Sequence, residues 1–289
     1  MSADWELALA WLYVPATRTD RFAKAAASAD GVVIDLEDAV HADEKAAARA
    51  GLDAAVGDGL GVPTVVRVNA PSTEHFDADI AAVTPLVRRG AVSAIRVAKV
   101  DSADEARRAA EATAHWGIER RLIVQLETAR AIRDAHEIAA VEGVHSLMLG
   151  EADLRADLGL GRDLASADGL LLSRLTVVLA ARAAGLPSPL ASAFVNVTDT
   201  DALAADCARQ RELGFRGRSC IHPKQVETVR AAFQPSAADV EWARSVLERA
   251  EGMDTSGSGV ATLADGSFID MPVIRQAQTI AALAERSAS

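Results

Sequence analysis

The sequence predicts a TIM-type (β/α)8 barrel over residues 1–235, followed by a C-terminal extension of helix, hinge, hairpin and helix over 236–289. Three observations carry that prediction. Short apolar runs recur at Trp11–Val14, Val32–Leu36, Thr64–Val68, Ala94–Val97, Leu122–Leu126, Ser146–Leu149, Ala193–Val197 and Arg218–Ile221. Between them lie Ala-rich segments with helical periodicity, among them Phe22–Ala29, Glu44–Ala55, Ala103–Trp116, Ala129–Ala139 and Thr200–Leu213. The length of 289 residues fits one barrel of about 250 residues with an extension. A doubly wound open sheet is the alternative, weakened because no GxGxxG follows the first strand.

In such a barrel functional groups sit at the C-terminal strand ends, and here several strands deliver charge. The second strand ends as VVIDLED, where alternation puts Asp35 and Glu37 on one face and Ile34 and Leu36 on the other, with Asp38 just beyond. VVRVN brings Arg67 to the end of the third strand, and IRVAK brings Lys99 to the end of the fourth. The fifth, within LIVQLETARAI, presents Gln125 and Glu127 on one face. The sixth, within HSLMLGEADLRADLG, leads to Asp153. Residues 164–184 read as one long helix with an entry loop. Beyond Phe233 come a helix at Ala237–Glu251, the flexible hinge GMDTSGSG, a hairpin around Asp265 and Gly266, and a helix from Pro272.

An apolar strand that ends in a lone inward acid is costly, because an unpaired buried carboxylate is destabilising or takes up a proton. A hard cation between Glu127 and Asp153 resolves the conflict. Mg²⁺ takes one or two protein carboxylates and leaves its other positions to water and substrate oxygens. The competing reading pairs Glu127 with a basic residue and makes Asp153 a cap of the helix at 154–158; on these residues alone the two are evenly matched. Clustering of the acids, Arg67 and Lys99 at one end favours a site over a purely structural ion-pair network. Arg67 has the planar fork that grips a carboxylate through two parallel hydrogen bonds.

Composition narrows the partners. A net charge of −11 disfavours nonspecific binding to nucleic acid or to an anionic membrane surface. Residues are 50% hydrophobic but only 4% aromatic, so Ala and Val fill much of a large core. Cys207 and Cys220 are too few for a disulfide framework and lack metal-type spacing, so reduced thiols and a cytoplasmic location are expected. MSADWELALAW carries acids where a signal peptide is basic, and no apolar run reaches membrane-spanning length, so a soluble protein is expected.

The segments LYVPATRTDRFAKAA, VVIDLEDAVHADEKAAAR, VVRVNA, QLETARAI, GEADLRADLG, GFRGRSCIHPKQ and GSFIDMPVIRQAQTI occur in that order. Together they resemble the citrate lyase β-subunit-like branch of the HpcH/HpaI aldolase superfamily, which includes malyl-CoA and citramalyl-CoA lyases. The resemblance runs from about Leu12 to Leu283 and is specific as a set. It implies a TIM barrel in homotrimers or hexamers, with Mg²⁺ held by the Glu of the ETA motif and the Asp of GxxDL, here Glu127 and Asp153. It also implies that Arg67 binds the substrate carboxylate and that Arg18 and Lys24 contact coenzyme A. Asp270 of IDMPV is implied as an acid, on a lid that closes a neighbouring subunit's site. Departures fall at Pro15-Ala16 in place of Pro-Gly and at Ala98-Lys99-Val100-Asp101 in place of PKVE. Around strand seven Ala191, Ser192 and Asn196 stand where relatives often have Asp-Gly and a later Asp. None removes a metal ligand; all touch the rim where substrate and coenzyme A would be read.

The resemblance therefore implies a Mg²⁺-dependent carbon–carbon lyase. Its reaction would be reversible Claisen-type cleavage of a 3-hydroxyacyl-CoA, of malyl-CoA or citramalyl-CoA type, to an acyl-CoA and a 2-keto acid. Glu37, with Asp38 nearby, is expected to orient Arg67 or a water, or to serve as a secondary base. Three alternatives stand: malate-synthase-like or thioesterase activity on the same site, a citrate lyase β subunit acting on an acyl-carrier thioester, and a noncatalytic binding barrel. The joint presence of Glu127, Asp153, Arg67 and Asp270 argues against the last. His222 in CIHP reads as a rim-positioning residue rather than a base, and Cys220 as a small buried residue rather than a nucleophile. Tyr13, the only tyrosine, is assigned packing at the first strand and no role.

Overall fold

The computed structural model describes residues 8–117, 121–161, 168–251, 261–262 and 268–287. Two compact units emerge, Met1–Phe233 and Gln234–Ser289. The first is built on seven parallel strands: β1 (Ala10–Pro15), β2 (Gly31–Asp35), β3 (Thr64–Val68), β4 (Ala94–Val97), β5 (Leu122–Leu126), β6 (Val144–Leu149) and β7 (Arg218–Cys220). They form one sheet in the order β6-β5-β4-β3-β2-β1-β7. Helices make the crossovers that parallel pairing demands. These are α1 (Phe22–Ala26), α2 (Lys45–Val56), α3 (Phe76–Arg88), α4 (Ala103–Thr113), α5 (Ala129–Arg133), α6 (Ala135–Ala139), α7 (Glu151–Asp157), α8 (Asp168–Ala183) and α9 (Thr200–Glu212), with α10 (Val226–Phe233) after β7.

The sheet curls, because both of its edge strands reach the same short segment. Leu190 forms a parallel bridge to Met148 of β6, and Ala191 forms one to Arg218 of β7. The strand expected at Ala193–Val197 is not formed; pairing falls just upstream, at Leu190 and Ala191. Pro187 and Pro189 precede these residues and have no N–H to give a ladder. Downstream, Asn196 Oδ1 accepts from the backbone N–H groups of Thr198 and Asp199, a local turn that competes with strand pairing. The single helix expected over Ala129–Ala139 is two, broken at Asp134, whose φ of −96° and ψ of 9° leave the helical region.

Inward-facing Trp11, Val33, Val65, Ala94, Ile123, Met148 and Leu190 form an apolar plug inside the curl. Each alternates along its strand with residues packed outward against the helices. Trp11 is fully buried and lies across Gly31 of the neighbouring strand, where an added Cβ would stand 2.6 Å from the indole ring. Asp30, just before β2, accepts from the backbone of Leu9 and Ala10 and from Arg230 Nε at 2.7 Å, tying the start of β1 to α10.

In the second unit α11 (Ala237–Glu251) packs on α12 (Met271–Ser287) around Ala243, Val246, Ile269 and Ala277. Two short strands, β8 (Ala261–Thr262) and β9 (Phe268–Ile269), pair antiparallel on either side of the expected hairpin tip. That tip and the hinge at 252–259 lie outside the described residues. Among the described residues no helix is long and apolar enough to cross a membrane.

Gly31→Ala should overpack Trp11 and destabilise the first unit by about 1–3 kcal/mol. The check is a urea unfolding curve, in which the midpoint falls and the slope stays the same.

Candidate functional site

The C-terminal ends of β2 to β6 converge on a cluster of charge. Asp35 closes β2 with almost no exposure, and its carboxylate takes two parallel bonds from Arg67 of β3, from Nε at 2.7 Å and from Nη2 at 2.5 Å. The same carboxylate accepts from the backbone N–H of Glu37 at 2.9 Å and of Ala39 at 3.3 Å, which shapes the turn after β2. The fork of Arg67, expected to grip a ligand carboxylate, is therefore occupied by Asp35. Only Nη1 projects further, 3.0 Å from Glu37 Oε2.

Lys99 stands at the centre. Its Nζ bonds Glu37 Oε1 and, at 2.9 Å, Asp38, and it lies 3.6 Å from Asp153 and 3.9 Å from Glu127. Lys99 is the only non-glycine residue among those described with positive φ, at 49°. A left-handed backbone there costs a side-chain-bearing residue about 1–2 kcal/mol. Burial works against the Lys99 charge, but the hydrogen bonds it donates to Glu37 and Asp38 outweigh it and hold the ammonium above its usual range. Lys45 is buried on α2, and its Nζ donates to the carbonyls of Leu36 and Glu37 at 2.7 Å, fixing the same turn from behind.

Glu127, just past β5, is wholly buried. Burial foremost, then the neighbouring Asp153, push its carboxyl up to about 9. Gln125 Nε2 donates to Oε1, while Oε2 has no hydrogen-bond donor among the described residues. Gly150 makes room for it: a Cβ there would stand 2.5 Å from Glu127 Cγ. Asp153 lies in the first turn of α7 with half of its side chain exposed, and it does not cap that helix, whose N-cap is Gly150. Burial also pushes the Glu37 carboxyl up.

Among the described residues no group of three or more His, Cys, Asp or Glu converges on one point. Two carboxylates do, and they fit Mg²⁺, which uses few protein oxygens. The buried Oε2 of Glu127 receives no hydrogen bond among the described residues, has the Lys99 ammonium no nearer than 3.9 Å and lies beside Asp153, which makes the pair suited to a hard cation.

The remaining expected residues fall elsewhere. Arg18 lies on the surface, its fork on Asp20 at 2.9 Å, and Lys24 is exposed on α1. Asp270 belongs to the second unit; it is exposed, and its Oδ1 accepts from Val273 N–H at the start of α12. His222 Nδ1 accepts from Lys224 N–H and caps a short 3-10 turn. Burial pushes the Cys220 thiol up to about 12 and the Cys207 thiol up to about 11, which suits neither to nucleophilic work.

Inspection of the sequence missed Arg96, whose place two residues after the inward Ala94 was the available signal, and Tyr13, which follows the inward Trp11 at the same spacing. It also missed the support of α7. Arg174 forks onto Glu151 at 2.8 Å through both bonds, and Ser192 Oγ accepts from Glu151 N–H, which fixes the turn that carries Asp153.

A family model described as HpcH/HpaI aldolase/citrate lyase matches residues 9–223. A citrate lyase subunit beta-like protein of Deinococcus radiodurans is 33% identical over 287 residues, covering 97% of this chain and 98% of that one. A (3S)-malyl-CoA thioesterase of Cereibacter sphaeroides is 34% identical over 277 residues, covering 93% and 92%. The crystal structure of CitE from Mycobacterium tuberculosis, in complex with magnesium, acetoacetate and coenzyme A, superposes with a TM-score of 0.75 at 33% identity, covering 96% and 98%.

Asp35→Asn should cost about 3–5 kcal/mol, because it strips a buried guanidinium of its partner. Glu241→Gln, at the solvent-exposed pair with Arg244, should leave stability essentially unchanged. Chemical denaturation of the two variants side by side checks the contrast.

Proposed function

From its place in the HpcH/HpaI aldolase/citrate lyase family, to which this chain belongs, we propose that it is a Mg²⁺-dependent lyase of coenzyme A esters. On this reading the curled sheet and its bridges at Leu190 and Ala191 close as a (β/α)8 barrel. The protein cleaves a 3-hydroxyacyl-CoA of malyl-CoA or citramalyl-CoA type to an acyl-CoA and a 2-keto acid. The observation that carries the reading is the buried, undonated Oε2 of Glu127 set against Asp153 at the strand ends.

Glu127 and Asp153 would hold the Mg²⁺, which when bound polarises substrate oxygens as a Lewis acid. Arg67, anchored by Asp35, offers Nη1 to the substrate carboxylate. Glu37, its affinity for protons raised by burial, takes the hydroxyl proton as the carbon–carbon bond breaks. The bonding pair passes to the thioester as an enolate, and Asp270 returns a proton to its α-carbon to release acyl-CoA. The C-terminal unit is the lid over a neighbouring subunit's site, Arg18 and Lys24 are the coenzyme A contacts, and the assembly is a homotrimer or hexamer. Similarity to a malyl-CoA thioesterase supports a second reading, in which the same site also hydrolyses the thioester.

A panel of 3-hydroxyacyl-CoA esters with Mg²⁺, scored separately for keto acid and for free coenzyme A, separates the readings. Keto acid with intact acyl-CoA supports the lyase, free coenzyme A the thioesterase, and neither product refutes both. Calorimetry should show Mg²⁺ binding more tightly when pyruvate or oxaloacetate supplies further oxygens. Glu127→Gln and Asp153→Asn should each abolish that synergy, and its survival in both would remove them as ligands. Asp270→Asn should lower kcat by about a hundredfold or more while keto acid binding is unchanged; native turnover would release it from its role.

A further inference from the structure

Beneath the acid cluster the interior of the sheet holds a cation that no carboxylate pairs among the described residues. Arg96 on β4 is fully buried and stands in register with Arg67, so both side chains point inward. Nη1 donates to Tyr13 Oη at 2.6 Å and to Ser219 Oγ at 3.3 Å; among the described residues Nε and Nη2 have no acceptor. A buried guanidinium without a carboxylate is costly. The nearest hydrogen-bonding partners of Arg96 are neutral hydroxyls.

The consequence lies at Tyr13. A guanidinium can only donate, so Tyr13 accepts from Arg96 and keeps its own O–H proton. Among the described residues no acceptor takes that proton. The phenol ring lies close to two guanidiniums, 5.0 Å from Arg67 Cζ and 5.3 Å from Arg96 Cζ, and unlike Arg96 it is only half-buried. Bonding by a cation makes the phenol a stronger donor. Arg67 has its fork filled by Asp35, so a ligand carboxylate on Nη1 needs a second donor. Tyr13, stacked against Arg67, has a proton to give.

Resting on the reading of the site above, we infer that Tyr13 donates its O–H to a carboxylate oxygen of the 2-keto acid. Arg96 is the positioning residue that aims and polarises the phenol. The pair thus selects ligands by their carboxylate.

Because Tyr13 is the only tyrosine, labelling with tyrosine carrying ¹³C at Cζ gives one resonance that reports this contact. The full-length protein with Mg²⁺ is titrated with pyruvate and followed by NMR and calorimetry. The resonance should shift on saturation, and Tyr13→Phe should weaken pyruvate about tenfold or more while Mg²⁺ binding alone is unchanged. Arg96→Met should shift the ligand-free resonance and, combined with Tyr13→Phe, weaken pyruvate no further than Tyr13→Phe does. Should Arg96→Met fail to fold, the wild-type titration and Tyr13→Phe still decide. Pyruvate that binds by calorimetry without moving the resonance, or equally well to Tyr13→Phe, overturns the inference and leaves the lyase reading intact. A wild-type protein that binds no keto acid with Mg²⁺ overturns both.

Discussion

The buried ion pair between Asp35 and Arg67 is the constraint on which the rest of the site depends. Neither side chain can hold its charge away from water without the other. Their two parallel bonds fix the ends of β2 and β3 against each other. Because Asp35 also accepts the N–H groups of Glu37 and Ala39, the same carboxylate sets the direction in which the chain leaves β2. Glu37 and Asp38 are placed by that turn, Lys99 is placed by them, and Glu127 and Asp153 face Lys99 in turn. The cluster is a series of dependent contacts rather than a collection of acids at a rim.

Holding like charges close is unfavourable, and the backbone carries the strain. Lys99 adopts a left-handed conformation that delivers its ammonium into the acids. Gly150 lacks the Cβ that would push Glu127 away. Lys45 gives its hydrogen bonds to two backbone carbonyls, stiffening the β2 turn, while its charge also faces Glu37, Asp35 and Asp38. Donors and charges held this way need little rearrangement when a ligand arrives, which is what electrostatic stabilisation of developing charge requires.

A gradient of polarity runs along the interior of the sheet. The apolar plug around Trp11 gives way to Tyr13, Arg96, Gln125 and Ser219, and these to the carboxylates. Apolar packing at one end supplies stability, and the low-dielectric surroundings it creates strengthen every charge interaction above it. The high proton affinity of Glu127 and Glu37 is the measure of that environment.

Sequence alone determined the alternation of strands and helices, six of the parallel strands nearly to the residue, and the charged strand ends. Each of these follows from local periodicity: an inward residue recurs every second position, so Asp35 and Glu37, or Gln125 and Glu127, announce their shared face without any knowledge of neighbours. It misplaced the segment at Ala193–Val197, because apolar alternation there is indistinguishable from that of a strand, while proline and an Asn-centred turn decide the pairing. It could assign Arg67 a fork but not the fork's partner, and it could see Tyr13 and Arg96 as residues of two strands far apart in the chain but not as neighbours. Partners across strands are fixed by register and by the curl of the sheet. Which charge neutralises which, and which donor is left free, was therefore decided only by the tertiary structure.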